Sequence, residues 1–219
     1  MVSTCAAAAE LGVGEGQVRD YIAARVLAAD LSLGGAWDVE PTTLRALARG
    51  RGRGRRWSEE TAWAALEILG GGATTRLGSS QRSRLRAGLR ELTVARLAYL
   101  AEGRGTLYRL RQDNGTRRAL LVRLEVSGAS ALAAGGPHDR FDLSPARATL
   151  TVGYLAAAVA AEVFDTFLLR ETNDGDLLLR VANSPTVNDA VIALDLYGYG
   201  ETRESAAGRT WLEGALRAL

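Results

Sequence analysis

Along the first fifty residues, apolar positions fall at helical spacing in three short stretches, broken by one glycine turn and one glycine pair. Ser3 and Thr4 can cap a first helix, because a side-chain oxygen accepts a bond from an otherwise orphaned amide of the first turn. Residues 5–11 follow as strong helix formers. Gly12-Val13-Gly14 ends that helix: Gly12 suits a left-handed cap, and Val13 can pack back between two helices. A second helix over 15–25 places Val18, Tyr21, Ile22 and Val26 on one face. Gly34-Gly35 lies between two runs of β-formers and predicts a hairpin. Pro41 then opens a third helix with Leu44 and Leu47 on its buried side.

The pattern continues as helices to about residue 102. Ser58 caps a helix that buries Ala62, Ala65, Leu66 and Leu69, with Trp63 nearby, and Gly70-Gly71-Gly72 ends it. Ser79 or Ser80 caps a helix over 81–92 with Leu85, Leu89 and Leu92 inside. A short helix over 93–101 follows. Past Gly103 the period shortens. Strands are predicted over 106–111, 123–126 and 140–143, with a short helix up to Leu121 and another beginning at 127–130. An Ala-rich helix is predicted over 149–163. Strands over 165–169 and 176–181 are expected to pair as a hairpin across Asn173-Asp174-Gly175-Asp176. Helices over 188–197 and 201–219 close the chain. The fold class is therefore α+β, with helices on a mixed or antiparallel sheet. The segments are an N-terminal unit over 1–48, an arm over 49–56, a helical middle over 57–102 and a C-terminal α+β domain over 103–219.

Charge divides the chain unevenly. All 27 basic residues are arginine and none is lysine, which with the heavy Ala and Gly usage points to a high-GC, actinobacterial genome. Residues 1–40 hold two arginines and six acids, residues 41–110 fourteen arginines and five acids, and residues 111–219 eleven and fourteen. A basic middle suits a nucleic-acid binder whose back half faces another partner. Cys5 and His138 are each single, so an internal disulfide, a cysteine metal cluster and histidine-based catalysis are not expected, and no cofactor is implied. No apolar run reaches membrane-spanning length and the N-terminus lacks a signal-peptide pattern, so the expected location is the cytoplasm.

The order helix, turn, helix, Gly-Gly hairpin, Pro-started helix resembles the winged helix-turn-helix domains of the excisionase and MerR type. That resemblance implies that the second helix enters the major groove of double-stranded DNA, with Gln17, Arg19 and Arg25 among its exposed side chains. An acidic head is unusual for this task, since phosphate contacts dominate affinity. Compensation lies next door: Arg49, Arg51, Arg53, Arg55 and Arg56 alternate with glycine, as in the Gly-Arg arms that enter minor grooves, though without a flanking proline. Read alone, the same stretch is a solvated linker. Arg82 and Arg86, with Arg84 and Arg90, mark a basic face on the next helix but one, either solvated surface or phosphate contact.

Over nearly the full length, the order of short motifs resembles the actinobacterial helix-turn-helix relatives of AbiEi-type antitoxins. Those motifs are the head, the arm, Arg56-Trp-Ser-Glu-Glu-Thr-Ala-Trp63, Ser80-Gln-Arg-Ser-Arg-Leu-Arg86, Tyr108-Arg-Leu-Arg111, Ser127-Gly-Ala-Ser-Ala131, the Asp-Gly turn, and Asp189-Ala-Val-Ile-Ala-Leu-Asp-Leu196 with Arg203 and Gly208-Arg209. The resemblance implies a DNA-binding autorepressor whose C-terminal domain neutralises a cognate nucleotidyltransferase-type toxin, and symmetric operators imply a homodimer. Glu15 and Gly16 depart from the polar or basic start expected of a reading helix. The alternative is a stand-alone regulator whose α+β half senses a ligand or dimerises. An enzyme is not expected. Asp139 and Asp142 are three apart and would face opposite sides of a strand, and Ser127 and Ser130 lack a histidine base.

Overall fold

The computed structural model describes residues 2–32, 35–50, 55–113, 115–144, 148 and 150–219, with backbone only at 46, 49 and 50. The N-terminal head comprises β1 (Val2–Ser3), α1 (Thr4–Leu11), α2 (Glu15–Ala23), β2 (Ala29–Leu31), β3 (Trp37–Val39) and α3 (Pro41–Gly50). Ser3 Oγ accepts the amide of Ala6 at 3.2 Å, so α1 starts where the side-chain chemistry allows. Gly12 ends it at φ 58°, a left-handed value that glycine adopts without a Cβ penalty. The three strands form an antiparallel sheet in the order β1-β3-β2. Beneath them Ala7, Leu11, Val18, Leu27, Val39, Leu44 and Leu47 are buried together, with Tyr21, Ile22 and Val26 packed at the margin. The expected second helix stops two residues early, because Arg25 takes a left-handed φ of 55°.

Three helices follow: α4 (Glu59–Leu69), α5 (Ser79–Leu89) and α6 (Val94–Ala101). Ser58 caps α4 and Thr93 caps α6. Ser79 and Ser80 are helical rather than capping. Gly78 holds the cap position of α5, where its amide donates to Gln81 Oε1 at 3.2 Å.

The body continues as β4 (Thr106–Arg111), α7 (Arg117–Val122), β5 (Glu125–Val126), α8 (Gly128–Ala133), β6 (Thr151–Ala156), α9 (Ala157–Thr166), β7 (Arg170–Glu171), β8 (Leu177–Ala182), α10 (Asp189–Tyr199) and α11 (Thr202–Arg217). The sheet runs β5-β6-β8-β4-β7. The β6–β8 pair is parallel and the other pairs are antiparallel, so the sheet is mixed. One face packs against a core that joins α4, α6, α10 and α11, in which Trp63, Leu66, Leu97, Ala193, Leu196 and Leu212 meet. The other face carries Leu120, Leu155, Val163, Leu177 and Leu179. Among the described residues no helix is long and apolar enough to cross a membrane.

Three sequence expectations are corrected. Residues 149–163 do not form one helix. Thr151–Ala156 is a central strand, and only from Ala157 does the chain turn helical. Thr151, Val152 and Tyr154 are strand formers, and a strand buried on both faces shows no alternation to separate it from the alanine run. Residues 140–143 are not a strand but follow a short 3₁₀ turn at His138–Arg140, after which Phe141 anchors in the core 6.1 Å from the Trp211 ring, with Leu143 packed beside it. The hairpin across Asn173-Asp174-Gly175-Asp176 is absent, because residues 165–166 belong to α9, and β7 and β8 flank β4 on opposite sides. The connection crosses the end of β4 at Gly175, where a Cβ would lie 2.2 Å from the Leu110 carbonyl oxygen.

Where α10 and α11 cross, a Cβ on Gly208 would lie 2.4 Å from the Ala193 carbonyl oxygen, whereas one on Gly214 would meet nothing within 4 Å. Gly208→Ala is therefore expected to cost about 1–3 kcal/mol through overpacking. Gly214→Ala, in the same helix, should be neutral or stabilise by up to about 1 kcal/mol. Thermal denaturation of the pair checks both signs, and a neutral Gly208→Ala would mean that the two helices can separate freely.

A polar network ties the sheet to the helices. Arg104 is 1 % exposed. It donates from Nε to Tyr154 Oη at 2.8 Å and from Nη2 to Asp195 Oδ1 at 2.8 Å. Asp195 also accepts from Ser127 Oγ at 2.6 Å and from Tyr154 Oη at 2.9 Å. Beside it, Arg180 donates to Glu102 Oε2 and to Tyr199 Oη, each at 3.0 Å. Burial would raise the Glu102 carboxyl, but Arg180 and Arg104 outweigh it and hold the group down at about 2. A depressed carboxyl stabilises the fold above its ordinary value near 4.5 and loses that contribution as pH falls towards 2. Glu102→Gln should therefore flatten the acid limb of the stability curve between those limits, measured by denaturant unfolding at stepped pH. An unchanged limb would show that Glu102 titrates normally.

Candidate nucleic-acid interface

The head presents its second helix outward. Val18, on the inner face of α2, is fully buried, while Gln17, Arg19, Asp20 and Ala23 on the other side are exposed. This follows from the spacing: the inward positions are apolar at every third or fourth residue, so the intervening polar ones must face water. Arg19 Nη2 lies 3.6 Å from Glu15 Oε2, one helical turn away, with 62 % of its side chain exposed. An exposed pair of this kind holds its partner weakly.

Arg25 is placed differently from Gln17 and Arg19. Its Nη1 lies 3.1 Å from Glu171 Oε2 on β7, and its guanidinium sits 5.7 Å from the centroid of the Tyr108 ring on β4. Tyr108 in turn meets Phe164 of α9 edge-on at 5.4 Å. The end of α2 is thus engaged with the body. Two more contacts accompany it: Asp30 accepts from Asn173 Nδ2, and Glu40 pairs with Arg109 Nη1 at 3.1 Å. Between head and body lies a cleft of about 440 Å³, with Ile22, Trp37, Leu107, Arg109 and Glu171 in its walls.

Of the arm, Arg51 and Arg53 lie outside the described residues, as does the side chain of Arg49. Arg55 is exposed. Arg56 is half-buried, 5.7 Å from the centroid of the Tyr99 ring, and its charge helps to depress Glu102. On α5, Arg82 Nη1 donates to the Thr74 carbonyl at 2.7 Å and Arg84 Nε to the Ser80 carbonyl at 3.4 Å, and Arg90, which caps the helix, donates from Nη2 to an oxygen of Leu219. Arg86 is exposed and contacts no described partner. None of these four arginines forms an ion pair with a side-chain carboxylate among the described residues.

The residues weighed for catalysis are not gathered. Ser127 is fully buried and committed to Asp195, and Ser130 Oγ donates to the Leu150 carbonyl. Asp139 and Asp142 are exposed in the loop that replaces the expected strand. Among the described residues, no three His, Cys, Asp or Glu side chains approach closely enough to share a metal ion. No family model, curated protein or solved structure matches the chain. The head-to-body contacts of Glu40, Arg109 and Glu171 had no counterpart in the sequence reading. Their partners lie far apart along the chain and follow no local spacing.

Proposed function

We propose that the chain is a DNA-binding antitoxin, in which a winged helix-turn-helix head represses the operon that encodes it and the body neutralises a nucleotidyltransferase-type toxin. The observation that carries the DNA half is α2 itself. It follows a glycine turn, buries Val18, and leaves Gln17 and Arg19 facing outward, where Gln can pair with adenine and Arg with guanine. The toxin half rests on the order of motifs along the chain. It is supported by exposed apolar side chains on the body, Val122 at 83 % and Leu168 at 76 %.

The expected result of a gel shift is a salt-sensitive complex with the upstream intergenic duplex. Changing Gln17 and Arg19 together to Ala should cost about 1–3 kcal/mol of preference for each base pair they read, while weak binding to unrelated duplexes remains. Equal affinity of both proteins for operator and unrelated DNA would remove the head from sequence reading. Co-expression with the neighbouring gene product tests the second half, and continued growth arrest would end it. The cleft between head and body favours one other reading, a stand-alone regulator that binds a ligand there. A nucleotidyltransferase-like gene immediately downstream would discriminate against that reading.

A further inference from the structure

Arginines over much of the body are matched by carboxylates: Arg104 by Asp195, Arg109 by Glu40, Arg123 by Glu162, Arg140 by Asp189. On α5 the pattern breaks. Arg82, Arg86 and Arg90 recur every fourth residue, so they lie along one flank of the helix about 6 Å apart in rise. Arg82 donates to the Thr74 peptide carbonyl, which fixes the side chain without cancelling its charge, while Arg90 donates to an oxygen of Leu219, the last residue of the sequence. Glu91, just beyond the helix, pairs with none of them. Ser79 and Ser83 are exposed and fall on the same flank, adding hydroxyl donors between the charges. A chain that pairs so many arginines elsewhere has left this row open.

We infer that this flank of α5 is a docking surface for the sugar–phosphate backbone of duplex nucleic acid, separate from the head and indifferent to base sequence. The inference rests on the reading of the chain as a duplex-binding protein but not on base recognition by α2. A linear row of guanidinium groups with interleaved hydroxyls suits a linear array of phosphates. Two other polyanions fit less well. A membrane-surface helix needs an apolar face free to enter the headgroup layer, and the apolar face of α5, Leu85 and Leu89, is packed in the core. An acidic protein partner would need apolar or aromatic anchors at the centre of the contact. The residues beside this row, Ser83, Ala87 and Gly88, supply none.

The test uses the full chain with Arg82→Gln and Arg86→Gln together, and with Arg86→Gln alone, since Arg86 has no described partner to disturb folding. Affinity for the upstream duplex and for an unrelated duplex of equal length is measured between 50 and 200 mM salt. Each lost phosphate contact should lower the slope of log K against log salt by about 0.9. For the double variant the affinity ratio across that salt range should therefore shrink about twelvefold, and equally on both duplexes. An unchanged slope in both variants, with wild type still binding, overturns the inference and leaves the head reading intact. A reduced slope on both duplexes, with no preference for the upstream sequence in wild type, sustains it and removes base reading by α2. Binding to phosphatidylglycerol vesicles that is as tight as to duplex, and lost in the same variants, would overturn the assignment of the partner.

Discussion

Asp195→Ala is expected to destabilise the protein by about 3–5 kcal/mol, the largest loss from any single polar substitution in the body. Arg104, Tyr154 and Ser127 all point at this carboxylate from three different elements, and all are at most 1 % exposed. Removing it strands a buried guanidinium and two hydroxyls where no water reaches them. Arg104 keeps Ala101 O and a 3.5 Å approach to Glu102, but neither replaces a carboxylate at 2.8 Å. Tyr154→Phe should cost only about 1 kcal/mol, because Arg104 and Ser127 still reach Asp195. Replacing Arg104 by Met and Asp195 by Leu together should cost less than Asp195→Ala alone, since no charge is left behind. Urea unfolding of the three proteins decides the matter. If the double variant were the least stable, direct attraction rather than avoided desolvation would be holding the network.

Local chemistry made the head legible. Ser3, Gly12, Pro41, Leu44 and Leu47 act within one or two turns of themselves, and each does in the structure what its neighbours in sequence imply. The same holds for Ser58, whereas Thr93, expected as the first residue of its helix, caps it instead. The sheet was less legible, because its decisive strands are central. Thr151–Ala156 is paired on both sides, so its apolar run looks like the start of the helix that follows it. The turn residues Asn173-Asp174-Gly175-Asp176 predict a reversal, but β7 and β8 both run antiparallel to β4 and therefore parallel to each other, joined by a crossing rather than a hairpin. Whether the two flanking strands pair with each other or with a third is a long-range choice that turn residues do not encode, and β4 takes both. For the site, helical spacing was enough to place Gln17 and Arg19 outward. It gave no hint that Arg25 leaves the helix at a positive φ and lies over Tyr108, 83 residues further on in number but next to it in space.

Glu40→Ala should cost about 2–4 kcal/mol, nearly all of it felt in the head. Glu40 counted among the acids that make the head an unlikely partner for DNA, yet it is 7 % exposed and turned inward. Its Oε1 accepts the amide of Thr42 at 2.9 Å and its Oε2 that of Thr43 at 2.7 Å, which caps α3. The same carboxylate meets Arg109 of β4, whose Nε holds the carbonyl of Gly175 at the β7–β8 crossing. Burial favours the neutral acid, but the two amides and Arg109 outweigh it, so the carboxyl is lowered and remains charged at neutral pH. One side chain therefore starts a head helix and fastens the head to the body. Alanine removes both, whereas Glu40→Gln keeps one amide acceptor and loses the ion pair, so its cost should fall between. Amide exchange should locate the change in α3 and in the strand pair that precedes it, with α11 unaltered. Equal loosening of head and body would show that the two unfold as one unit and that the loss is not confined to the head.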